Sequence, residues 1–137
     1  MADERAPRWC KPLLLAAAVY NVAFGVFAVV FPNAWFELGG MPAPAQPWLW
    51  QCIGMIVGVY GVGYAIAAFA PLVHWPIVLV GLLGKVLGPL GFVDAALRGD
   101  VPWRAGWLIV TNDLVWWIPF AALLVAARRH ARGRARR

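Results

Sequence analysis

The chain predicts an all-α fold: an integral membrane four-helix up-down bundle, oriented N-in/C-in. Three observations predict it. The 137 residues are 63% hydrophobic and only 13% charged, too apolar for the surface of a soluble domain this small. Mean hydropathy is +0.71. Four apolar stretches each reach the ~20 residues needed to cross ~30 Å of hydrocarbon. One domain is expected: a tail over residues 1–11, a membrane domain over 12–127 with spans near 12–31, 48–70, 75–97 and 105–127, and a basic tail over 128–137.

The segment that organises the rest is Trp103–Ala127, WRAGWLIVTNDLVWWIPFAALLVAA. It is long enough to span a bilayer, yet carries Asp113 near its middle. A carboxylate at that depth is costly in lipid, so it must face protein and find a partner. Lys85 is the one basic residue inside another apolar segment, and the two are expected to pair.

Span one starts at Pro12, whose missing N–H suits a first helical turn, and stops at Pro32. Its apolar run is too long for a signal-peptide core of about 7–15 residues. Asn21 is its one strongly polar side chain, with Tyr20 beside it. The loop over 32–47, PNAWFELGGMPAPAQP, is the longest. Asn33 is placed to cap a short turn bearing Trp35, Phe36 and Leu38 at the interface. Pro42, Pro44 and Pro47 then impose extended backbone.

Span two opens on the interfacial aromatics Trp48 and Trp50. Gln51 follows one turn in, and Tyr60 and Tyr64 lie further along. Gly54, Gly58 and Gly61 share a face, and the small-xxx-small pair Gly54/Gly58 permits close helix approach. That face is a candidate homodimer contact. Span three contains GLLGKVLGPLG, with four glycines framing Lys85 and Pro89 expected to bend the helix. Span four has a second candidate kink at Pro119. The arginine-dense segment from Arg128 is expected to be disordered.

Nine of the twelve Lys and Arg residues lie in the tails: Arg5, Arg8, Lys11, Arg128, Arg129, Arg132, Arg134, Arg136 and Arg137. The opposite side holds Arg98 and Arg104. This bias places both termini in the cytoplasm. Arginines beside a membrane fix topology and contact anionic lipid, so nucleic acid is not an expected partner. His74 and His130 lack neighbouring ligands at workable spacing, so no metal is expected. Cys10 and Cys52 start at opposite faces, and no C-x-x-C motif is present.

At ~1.5 Å per helical residue, Asn21, Lys85 and Asp113 all fall near the bilayer midplane. Asn112 and Tyr60 lie at similar depth, and Gln51 nearer the outer surface. An acid, a base and two amides at one level describe either a salt bridge that fixes helix register or a site. As a site, the glycines leave room beside Lys85, and Trp107, Trp116 and Trp117 supply flat apolar walls. Such a pocket suits a hydrophobic molecule with one polar head: a quinone, an isoprenoid or a sterol-like lipid. Lys85 and Asp113 could also exchange a proton, as an isomerase-type enzyme or a proton-linked small transporter would require. The residues assign no cofactor and no reaction.

Three motifs, WQCIGMIVGVYGVGY (Trp50–Tyr64), GLLGKVLGPLGF (Gly81–Phe92) and TNDLVWWIPF (Thr111–Phe120), cover about half the chain. With the length and four spans, they resemble the small bacterial inner-membrane proteins of the DoxX-like group. The resemblance implies an inner-membrane location and an accessory role linked to thiol, oxidative-stress or quinone chemistry. Some such relatives carry the name alkyl hydroperoxide reductase, but Cys52 lacks the threonine and proline setting of a peroxidatic thiol. Small multidrug exporters are a poorer likeness, because span one has no glutamate. Four-helix sterol isomerases are similar in fold only.

Overall fold

The computed structural model describes residues 6–135. Among these there is no strand. The helices are α1 (Cys10–Val30), α2 (Ala34–Leu38), α3 (Pro47–Phe69), α4 (Trp75–Leu97), α5 (Trp107–Ile109) and α6 (Val115–Ala135). A 3-10 turn, Trp103–Gly106, precedes α5, and a π-helical turn, Val110–Leu114, joins α5 to α6. Four segments are long and apolar enough to cross a membrane: Cys10–Val30, Pro47–Phe69, Trp75–Leu97 and Trp103–Gly133. This is a multi-pass, all-α membrane protein.

The up-down order follows from which ends meet. Cys10 and Leu14 of α1 share a buried cluster with Tyr64, Ala67 and Ala68 of α3, Val78 of α4, and Phe120 and Leu123 of α6. The start of α1, the end of α3, the start of α4 and the distal part of α6 therefore lie together. At the other end, Trp35 of α2 stacks on Phe24 of α1 and tilts against Trp107. Trp103 meets Phe92 of α4 edge-on.

α1 and α3 form the closest helix pair, and glycine is the reason. A Cβ on Gly25 would stand 2.6 Å from the Gly54 carbonyl oxygen, and one on Gly61 would stand 2.8 Å from the Ala18 carbonyl oxygen. The Gly54/Gly58 face is thus occupied by α1 of the same chain, so a homodimer through it would have to displace that helix. Gln51 adds a latch, its Nε2 donating to the Val29 carbonyl at 2.9 Å.

A hydrogen bond also pins the long loop. Arg104 Nη2 donates to the Gly40 carbonyl at 2.6 Å. Gly40 has φ +63°, and a side chain there would overlap the guanidinium. Asn33 occupies the N-cap position of α2 but makes no side-chain cap bond.

Pro89 and Pro119 lie within α4 and α6. One expectation differs from the structure: the segment from Arg128 is helical to Ala135 rather than disordered. Alanine and arginine are strong helix formers, and cations suit a helix C-terminus, so α6 simply continues beyond its apolar part. Arg5, Arg136 and Arg137 lie outside the described residues.

Gly25→Ala, Gly54→Ala and Gly61→Ala should each destabilise the protein by about 1–3 kcal/mol, because backbone has to move. Gly58→Ala, whose nearest foreign atom would be 3.9 Å away, and Gly91→Ala, with nothing within 4 Å, should be neutral or slightly stabilising. Thermal unfolding in mild detergent checks the ranking.

Candidate mid-membrane polar site

Lys85 and Asp113 meet in the interior, each 5% exposed, with Nζ 4.0 Å from Oδ1. That separation is the outer limit of an ion pair. The tighter contact is to backbone: Nζ donates to the Asn112 carbonyl at 2.6 Å. Asn112 Nδ2 in turn donates to Asp113 Oδ1 at 3.0 Å. The ammonium, one carbonyl, one amide and the carboxylate form a short chain across the α4–span four contact.

The local backbone explains why these groups reach one another. Asn112 and Asp113 sit in the π turn Val110–Leu114. A π turn admits one extra residue into the helix and is frequent at functional positions. On α4, Pro89 lacks the N–H that would bond the carbonyl four residues earlier. That carbonyl belongs to Lys85, and Trp117 Nε1 donates to it at 2.9 Å. The proline frees an acceptor and the indole from the facing helix takes it. Lys85 is therefore held at both ends by the same neighbour.

The surroundings are aromatic. Lys85 Nζ lies 5.8 Å from the centre of the Trp116 ring, within range of a cation–π attraction. Trp116 packs on Tyr20 of α1 and on Phe120, which meets Tyr64 of α3 edge-on. These rings fill the seam between the α1–α3 pair and the α4–span four pair.

Asn21 is 3% exposed, but makes no hydrogen bond to Lys85 or Asp113 among the described residues. Gln51 is committed to the Val29 carbonyl. Tyr60 is half-buried and packs on Tyr64, ring centres 6.4 Å apart. Trp107 is 40% exposed and joins the outer aromatic group with Trp35 rather than walling Lys85. Of the residues singled out from the sequence, Lys85, Asp113, Asn112, Trp116 and Trp117 form one connected group. Asn21, Gln51 and Tyr60 are not bonded to it.

Gly88 is one of the four glycines expected to leave room beside Lys85. A Cβ there would lie 2.9 Å from Asp113 Oδ2, so this glycine makes room for the carboxylate rather than for the lysine beside it. The signal was the GKVLGP spacing, which sets Gly88 one turn from Lys85 on the flank that meets span four.

The centre holds more hydrogen-bonding capacity than it uses. Asn112 Oδ1 and Trp116 Nε1 are buried with no partner among the described residues; away from the pair, so are Asn21 Oδ1 and the Trp35 and Trp50 indole nitrogens. An open apolar pocket of about 430 Å³, lined by Phe36, Leu49, Trp50 and Ile53 among others, is separate, since none of its lining residues belongs to the polar group. No cluster of three or more His, Cys, Asp or Glu exists among the described residues.

Trp117→Phe should lower stability by about 1 kcal/mol, the net worth of one hydrogen bond. In a Pro89→Ala background the restored N–H serves the Lys85 carbonyl, so the same substitution should be nearly neutral. A double-mutant cycle on thermal stability checks that coupling.

Comparison with protein-family models, with curated proteins and with solved structures gives no match to this chain.

Proposed function

We propose that this is a bacterial inner-membrane protein whose mid-membrane centre binds a small hydrophobic molecule with one polar head, such as a quinone, an isoprenoid or a lipid. On this reading it is an accessory protein, redox- or stress-linked in line with its resemblance to the DoxX-like group. One observation carries the ligand reading: the unused capacity around Lys85 and Asp113. A salt bridge kept only for helix register would be closed on itself. Each buried donor or acceptor left without a partner costs about 1–3 kcal/mol, and native proteins hold few of them. Here both kinds are left over, Trp116 Nε1 as donor and Asn112 Oδ1 as acceptor. A ligand's polar head would complete them.

The charge bias supports a cytoplasmic location for both termini. The described arginines Arg128, Arg129 and Arg132 stand exposed on α6 at the end where α1 begins. Green fluorescent protein fused after Arg137 should fluoresce, and alkaline phosphatase there should be inactive, while phosphatase inserted in the Arg98–Arg104 loop should be active. The opposite pattern would invert the orientation.

The ligand is tested by mass spectrometry of small molecules retained after purification in mild detergent. Wild type should retain a discrete hydrophobic species that an unrelated four-span protein does not. Lys85→Met and Asp113→Asn should each lose it by about tenfold or more. Stability separates this from a register-fixing pair. Removing either partner strands the other charge, at a cost of about 3–5 kcal/mol. A Lys85→Met/Asp113→Leu double variant should recover that stability yet still bind nothing. Equal retention by the double variant would overturn the reading.

A further inference from the structure

One flank of α4 leaves a thin wall over the polar centre. Gly84, Gly88 and Gly91 run along it at helical spacing and all are exposed. A side chain at Gly84 or Gly91 would meet no atom within 4 Å. At Gly88 its three nearest atoms would all belong to the Asp113 carboxylate, Oδ2 first at 2.9 Å. Asp113 is 95% buried by its 5% exposure. Its Oδ1 accepts from Asn112 and faces Lys85. Its Oδ2 accepts no hydrogen bond among the described residues. An unpaired carboxylate oxygen of a buried residue thus lies beside a surface residue with no side chain to cover it.

We propose that the Gly84–Gly88–Gly91 groove is the docking site of a lipophilic alcohol or phenol, whose hydroxyl donates to Asp113 Oδ2 from the bilayer side. The head group must donate, because the carboxylate oxygen only accepts. It must be neutral, because Lys85 and Asp113 together carry no net charge and a bound ammonium would leave one positive charge at mid-depth. A phosphate or carboxylate head is disfavoured by repulsion from Asp113. The body must be apolar, because the nearby exposed side chains Leu83, Leu87 and Leu114 face hydrocarbon. This rests on the ligand reading above and adds the head group, the side of entry and the atom contacted.

The test uses the full chain in lipid nanodiscs, with a diazirine-bearing farnesol and its methyl ether as probes. The alcohol should photolabel peptides of α4 and span four, and the ether about tenfold less or weaker still, for want of a charge-assisted hydrogen bond. Gly88→Val, which lays a side chain across Oδ2, should reduce labelling by the alcohol to the level of the ether. Val59→Ala on the exposed face of α3 should label as wild type. If Gly88→Val does not purify folded, the contrast between alcohol and ether on wild type decides alone. Equal labelling by the two probes, or undiminished labelling of folded Gly88→Val, overturns the groove. Should that occur while wild type still retains a natural ligand dependent on Lys85 and Asp113, the groove fails and the ligand reading stands.

Discussion

A cation and an anion placed in the middle of a membrane protein constrain everything around them. Neither charge can be left to hydrocarbon, and their mutual attraction alone seldom offsets the water both have lost. Here Lys85 and Asp113 stand 4.0 Å apart, at the outer limit of an ion pair. The deficit is met by backbone. The Asn112 carbonyl takes the ammonium, and the Asn112 amide supports the carboxylate. The π turn and Pro89 are then parts of the same arrangement. One presents Asn112 and Asp113 together, and the other frees the Lys85 carbonyl for Trp117.

This divides the bundle into two unlike halves. α1 and α3 adhere through glycine and alanine, where backbone touches backbone, with the Gln51 latch at one end of the seam. α4 and span four adhere through charge and hydrogen bonds. Between the halves stand large rings: Tyr20 on Trp116, and Tyr64 on Phe120. Small-residue packing gains dispersion over the whole contact and leaves no room for an added atom at Gly25, Gly54 or Gly61. Aromatic seams pack less finely, and the unpartnered Trp116 indole lies in this one.

Much of the architecture was legible in the sequence because bilayer thickness sets helix length. The first three spans fall within two residues of their expected limits. The Lys85–Asp113 pairing was legible for a related reason: two ionisable groups at one depth have few alternatives to each other. The π turn was not legible, since VTND has no composition that separates a π turn from an α turn. Nor was the destination of Gln51, because an amide one turn inside a span can bond sideways to a carbonyl as readily as inward. The Gly54/Gly58 face could be read as close-packing, but not as packing against α1. Small residues state how near a neighbour comes and not which neighbour it is. The role of Trp117 could have been read: Pro89 lies four residues after Lys85, so that carbonyl had to find a donor elsewhere.

A structural salt bridge and a binding site are commonly set against each other, yet this geometry joins them. Folding alone would be served by two apolar residues of similar size, which often stabilise as well as or better than a buried ion pair. What apolar residues cannot supply is a set of donors and acceptors fixed in place before anything binds. Lys85 is held at its carbonyl by Trp117 and at its ammonium by Asn112. Asp113 is held at Oδ1 by Asn112, with Oδ2 left over beside Gly88. The bonds that are made hold the groups still, and those left unmade define what could join them. A centre of this kind costs stability in the empty protein, and a bound head group would return that cost as affinity.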